Sequence, residues 1–177
     1  MDFNRVLTQA PAVLILQGFI FMTLWMSSCN SAPDPGKPVE KIQYYGTGEV
    51  SRRFVEINGK KEGEMRDFYP DGKLKAIRLF ENDIQVGRTV IYYPGGQIKE
   101  TQYYANGMKE GSDTVFYESG QPQLVLNFHQ DKQDGYVRKW SEEGILIFEA
   151  RYELDSLVEV RGKPVKPGDD ADDVGRN

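Results

Sequence analysis

Apolar and polar positions alternate along much of this chain. In Lys73-Leu74-Lys75-Ala76-Ile77-Arg78-Leu79-Phe80 the even positions carry Leu74, Ala76 and Phe80. The same phase carries Pro122, Leu124, Leu126 and Phe128, and later Leu146, Phe148, Ala150 and Tyr152. Period two over eight residues predicts strands with one apolar face. Each run is preceded by a turn that glycine closes: Pro70-Asp71-Gly72, Pro94-Gly95-Gly96, Glu118-Ser119-Gly120 and Glu142-Glu143-Gly144. A second turn lies at the middle of each unit, at Asn58-Gly59, Asn82-Asp83, Asn106-Gly107 and Gln130-Asp131. Asn-Gly is a strong hairpin signal because both residues tolerate positive φ.

These features recur every 24 residues. Gly48, Gly72, Gly96, Gly120 and Gly144 form one turn-glycine column, and Gly63, Gly87, Gly111 and Gly135 a second, which opens the return strand. Tyr44, Phe68, Tyr92, Phe116 and Trp140 form an aromatic column at the same step. Three columns in register without an insertion mark a repeat protein, each unit one β-hairpin. A lone hairpin is marginal in water, so the units must continue one antiparallel sheet. The expected fold is all-β: a single elongated, twisted sheet of about five hairpin repeats, with Tyr44-Tyr45 in a degenerate first unit. Ten or so strands about 4.8 Å apart make a ribbon roughly 45 Å long. The column aromatics are expected to be the repeat core, packing across strands. Pattern fades after Tyr152, and residues 157–160 suit a capping strand.

Composition narrows the class. The chain has 177 residues, enough for one domain, and a formal net charge of −5, which speaks against nucleic-acid binding. Hydrophobic residues make up only 39% while aromatics reach 12%, a mix that suits a sheet with one half-buried face. Residues 52–78 run against the overall charge, with eight basic side chains to five acidic ones. That excess suits either solvated strand edges or contact with anionic headgroups.

The ends are predicted to lie outside the repeat domain, which spans 41–161. Residues 1–28 read as a signal peptide: Arg5 precedes a mostly apolar run from Ala12 to Trp25, too short to span a bilayer. Met26-Ser27-Ser28-Cys29 follows, and Cys29 is the only cysteine, so it forms no internal disulfide. This arrangement resembles the lipobox of bacterial lipoproteins, which implies cleavage before Cys29 and acylation of its thiol. Met26 and Ser28 depart from the commoner lipobox residues. Lipidation would hold the protein on a bilayer at the cell envelope. Residues 29–40, with Pro33, Pro35 and Pro38, read as an extended tether. Residues 162–177, including Asp169-Asp170-Ala171-Asp172-Asp173, read as a disordered acidic tail.

The string Asn106-Gly107-Met108-Lys109-Glu110-Gly111 followed by Phe116-Tyr117-Glu118-Ser119-Gly120 resembles the MORN-repeat variant, found in bacterial proteins labelled YwqK-family antitoxins. Asn58-Gly59-Lys60-Lys61-Glu62-Gly63 with Phe68-Tyr69-Pro70-Asp71-Gly72 is similar, and the likeness covers about residues 41–160. Gln130-Asp131, Ser141 and the final unit depart from it. The resemblance implies a scaffold for protein association or membrane contact, and the label implies neutralising a toxin by binding it.

Candidate chemistry is sparse. His129 is the one histidine, beside the Gln130-Asp131 turn, and neither Ser119 nor Ser141 sits in a nucleophile elbow. No Cys/His cluster or phosphate-binding glycine string occurs, so no metal or cofactor is expected. Acidic residues are expected at turns. Tyr69, Tyr93 and Tyr117 adjoin the column aromatics, so alternation sends them to the opposite face. Exposed there, they would form a tyrosine ladder suited to a protein partner. The expected function is a non-enzymatic, membrane-anchored binding module. Toxin neutralisation is the first alternative, and an envelope hydrolase, needing a buried polar pocket, the second.

Overall fold

The computed structural model describes residues 36–165, and among these it contains no helix. Fourteen strands form one antiparallel sheet. They are β1 (Val39–Tyr44), β2 (Val50–Ile57), β3 (Lys60–Phe68), β4 (Leu74–Glu81), β5 (Ile84–Tyr92), β6 (Ile98–Ala105), β7 (Met108–Lys109), β8 (Gly111–Phe116), β9 (Pro122–His129), β10 (Lys132–Gln133), β11 (Gly135–Trp140), β12 (Leu146–Glu153), β13 (Ser156–Val160) and β14 (Lys163–Pro164). Sequence neighbours pair throughout, so the sheet has no crossover. The short β7 pairs with β6 and the short β10 with β9, each beginning a return strand that β8 or β11 continues.

The mid-unit turns are two-residue loops. Ile57 pairs with Lys60 around Asn58-Gly59, whose φ values are 53° and 76°. Positive φ at both central residues makes the hairpin turn whose twist matches the strands. Asn82-Asp83, Asn106-Gly107 and Gln130-Asp131 share the geometry, and so does Leu154-Asp155, with φ of 47° and 71°. The hairpin rhythm therefore continues past Tyr152, where the amino-acid pattern fades. These turns stack on one another. The amide of Asp83 donates to the Lys61 carbonyl, Gly107 to Gln85, Asp131 to Lys109 and Asp155 to Gln133. Where aspartate is present it returns a bond: Asp83, Asp131 and Asp155 accept from the amides of Lys61, Lys109 and Gln133 at 2.7–2.9 Å.

Several expectations need correction. The second glycine column does not open the return strand. Gly63 lies inside β3 and Gly87 inside β5, each where the register with the preceding strand slips, so these are bulge glycines and not turn glycines. Gly111 and Gly135 mark the equivalent break after β7 and β10. All four have positive φ, from 65° to 109°. The column aromatics are not the core: Phe68, Tyr92, Phe116 and Trp140 are half-buried and Tyr44 is exposed. At the ends, the sheet takes up Val39 and Glu40 from the tether and Lys163 and Pro164 from the tail. The signal segment, Cys29 and the Asp169–Asp173 run lie outside the described residues.

The core follows from register. Residues directly opposite across a ladder share a face, and Met65–Arg78, Asp67–Ala76, Ala76–Ile91, Ile91–Glu100 and Glu100–Val115 trace one face from β3 to β8. The same face carries the buried Phe54, Phe80, Thr89, Asp113, Val137, Ala150 and Val160. We call it the inner face. Phe54, Met65 and Phe80 pack together there, each worth roughly 1.5–3 kcal/mol on burial.

Candidate functional site

The inner face mixes apolar side chains with two polar groups, one of them at its middle. Glu100 stands in the column that holds Arg52, Ala76, Leu124 and Phe148 in other units. Asp113 stands with Met65, Thr89 and Val137, and Gln102 with Phe54, Arg78, Leu126 and Ala150. The hairpin pair β6–β8 thus exchanges core residues for a polar cluster. Lys109 Nζ bonds Asp113 Oδ2 at 2.6 Å. Gln102 donates to Glu100 at 2.5 Å, and the Tyr104 hydroxyl donates to Gln102 at 3.0 Å. Asp113 is only 5% exposed, and its Oδ1 has no hydrogen-bond partner.

Burial dominates the electrostatics of the cluster. Desolvation pushes the Glu100 carboxyl above its ordinary value; the Gln102 bond opposes this, and the adjacent Asp113 adds to it. Desolvation likewise raises Tyr104. Lys109 is pulled down by desolvation, but its bond to Asp113 wins and raises it. A second buried carboxylate, Asp67, sits toward β2 on the same face. The Arg52 Nε reaches it at 2.5 Å and Arg78 bonds its other oxygen. Burial pushes Asp67 up, yet the two guanidinium groups outweigh it and hold the carboxyl below the usual range. The acidic residues expected at turns thus include three that lie on the inner face.

The opposite end of each hairpin, at the longer turns, is tied by tyrosine. The hydroxyls of Tyr45, Tyr69, Tyr93 and Tyr117 donate to the carbonyls of Phe68, Tyr92, Phe116 and Trp140 at 2.5–2.8 Å. Every bond spans 23 residues, so each tyrosine reaches the same point in the following unit. The three tyrosines singled out from the sequence are half-buried, with their polar ends spent on backbone. Their rings remain in use: Lys75 Nζ lies 5.7 Å from the Tyr69 ring centre and Lys99 Nζ 5.7 Å from that of Tyr93. The ladder stops at Ser141, which replaces the tyrosine of the last unit.

His129 is exposed and meets Glu110 at 3.0 Å, at the hairpin end of the sheet. Glu110 also accepts from the Gln130 amide, as Glu62 does from Asn82, so its role is to hold a turn. The structure does not bring His129 to Ser119 or Ser141. Among the described residues, no three metal-ligating side chains cluster. A groove of about 850 Å³ runs beside β1–β3, lined by Val50, Val55, Ile57 and Phe68 with Arg53 and Arg66. Those arginines pair with Glu40 and Glu64. The polar inner cluster was missed from sequence, although comparing residues column by column exposes it.

The MORN repeat variant model matches residues 61–82 and 85–108. The matches correspond to β3–β4 and β5–β6, hairpins joined through the longer turn, so these two units match MORN-type repeats. No curated protein matches it. Among solved structures it is similar to a chain in the crystal structure of accessory secretory protein 1, 2 and 3 of Streptococcus pneumoniae, at 16% identity and a TM-score of 0.36. The match covers 56% of this chain and 18% of that one, so this protein spans less than a fifth of that chain's length.

Proposed function

We propose that this chain is a membrane-tethered, non-enzymatic module that binds another protein. One observation carries the reading: the residues that repeat are spent on holding hairpins side by side. Tyrosine hydroxyls close one margin of the sheet and stacked turns close the other. What differs between units is then free to be recognised. The polar cluster favours binding or structure over turnover. Asp113 is buried and held by Lys109, and the half-buried Glu100 is held by Gln102, so both carboxylates already have partners within the sheet. The tether rests on the sequence around Cys29.

The tyrosine–lysine strip of Tyr69, Tyr93 and Tyr117 with Lys75 and Lys99 is the proposed contact surface. Two measurements test the whole reading. The mature protein from membranes should begin at Cys29 with added lipid mass, and Cys29→Ala should release it. A photo-activated cross-linker at position 97 should capture a protein in intact cells, and Lys75→Glu/Lys99→Glu should abolish capture while the protein stays folded, its melting temperature falling only by what the two lost lysine–tyrosine contacts explain. A captured toxin whose effect this chain relieves would make the module an antitoxin. An unmodified Cys29 overturns the tether, and capture indifferent to the charge reversal overturns the contact surface.

A further inference from the structure

The margin beside the longer turns carries two solvent-facing columns whose chemistry changes along the stack. The first reads Glu49, Lys73, Gln97, Gln121, Ile145, and the second Ser51, Lys75, Lys99, Gln123, Ile147. The second lies on the outer face, because each member precedes an inner-face residue, as Lys75 precedes the buried Ala76. From β4 onward both columns thus pass from basic through neutral amide to apolar. Exposed apolar side chains are unremarkable singly, but these occur together: Ile145 is 63% exposed, Leu146 47% and Ile147 44%. Ile145 and Ile147 stand where other units place lysine or glutamine, so packing of the repeat does not require them, whereas Leu146 keeps the column of Leu74 and Ile98.

The two ends differ in charge as well. Lys75 and Lys99 make no ion pair among the described residues and sit over tyrosine rings. Lys73 is neutralised by Asp71 at 3.1 Å. At the far end Glu142 and Glu143 flank the isoleucines. Two carboxylates there oppose an anionic bilayer, which attracts basic residues. Six ladder steps separate β4 from β12. At about 4.8 Å per step that is roughly 29 Å, the length of about nine extended residues.

Resting on the binding-module reading, we propose that this margin seats an extended segment of a partner protein. The segment is acidic where it passes Lys75 and Lys99, and apolar where it passes Ile145 and Ile147. Opposite charge fixes its direction and the isoleucines bury its apolar end.

The test uses the folded protein and three labelled synthetic peptides: a graded one with glutamates at one end and leucines at the other, and its acidic and apolar halves alone. In fluorescence anisotropy the graded peptide should bind at least tenfold tighter than either half. Lys75→Glu/Lys99→Glu and Ile145→Lys/Ile147→Lys should each weaken it about tenfold. The lysines of the second variant occupy columns that Lys73 and Lys75 already hold, so the fold tolerates them, and a thermal melt verifies this. Equal affinity for graded and half peptides, no binding, or binding indifferent to either double variant overturns the proposal. So does retention on phosphatidylcholine vesicles through Ile145 and Ile147 without peptide binding, which would make the apolar end a lipid contact. Cellular capture of a partner that survives both double variants would leave the module reading standing and this seat refuted.

Discussion

Removing one phenolic oxygen from the ladder isolates what the tyrosines do. Tyr93→Phe deletes the hydroxyl that donates to the Phe116 carbonyl at 2.7 Å and keeps the ring under Lys99. A part-buried hydrogen bond of this kind contributes about 1 kcal/mol net. For a sheet of this size that is a fall in melting temperature of roughly 4 °C. Tyr69→Phe should cost the same, since its bond is also 2.7 Å. The double variant should lose about 2 kcal/mol or slightly more, because both bonds join adjacent repeats and neighbouring units stabilise each other. Tyr45→Phe should cost less, because it ties only the first unit to the stack and end units fray. Tyr103→Phe is the control: this residue is 45% exposed and its hydroxyl is bonded to nothing among the described residues. Urea unfolding followed by circular dichroism reads the free energies, with an unchanged slope confirming that the unfolded state is the same. Tyr93→Phe within about 0.3 kcal/mol of the parent, beside a Tyr93→Ala loss of more than about 2 kcal/mol, would refute the ladder. The ring would then be packing and the hydroxyl incidental.

Three other substitutions probe the inner face and the turns. Glu100 titrates above its ordinary value, so the folded state binds its proton more tightly than the unfolded state. Stability should therefore fall as pH rises from the ordinary carboxylate range through the folded value, and Glu100→Gln should flatten that slope and stabilise the protein at pH 8. A slope in that window left intact by Glu100→Gln would reject the assignment. Asp67 behaves oppositely, held low by Arg52 and Arg78. Asp67→Asn should cost about 2 kcal/mol at pH 7, below the value for a fully buried pair because both arginines are partly exposed. The gap should narrow as pH falls through the folded value, as pH-resolved urea titrations would show. Leu154, 53% exposed, adopts φ of 47° where other units use asparagine or glutamine. Leu154→Asn should stabilise by about 0.5–1 kcal/mol, read by the same melts.

The architecture was legible because the turns are chemically explicit. Asn58-Gly59 and Gly72 demand positive φ, and once their spacing is known the strands between them have no other arrangement. The last hairpin was harder to see because Leu154 occupies a left-handed position that leucine disfavours, and tertiary context overrides that local preference. The burial of the column aromatics was misjudged for a related reason. The aromatic pairs sit where the register shifts, between Asp67 and Phe68 and between Ile91 and Tyr92. Simple alternation counted through a bulge does not say which face a side chain takes. The tyrosine bonds were invisible because they link residues 23 apart through backbone carbonyls, which no side-chain pattern encodes. Glu100 and Asp113 lay in plain view as departures from mostly apolar columns, but individually they look like ordinary surface acids.

That polar cluster makes sense once the lateral ties are counted. A globular core must bury apolar side chains in every element, because little else holds its layers together. Here each unit is fastened to the next by a tyrosine bond at one margin and by turn-to-strand bonds at the other, in addition to the ladder between strands. The inner face is thereby relieved of part of its structural duty. Glu100 and Asp113 can replace residues like Ala76 and Met65 at a cost that the margins offset, with Lys109 and Gln102 limiting the loss. The same independence explains the outer columns. Lys75, Lys99, Gln123 and Ile147 occupy one position in successive hairpins, and the backbone there is indifferent to which it carries. A scaffold whose fasteners repeat and whose faces vary can alter what it contacts one unit at a time, without renegotiating its fold.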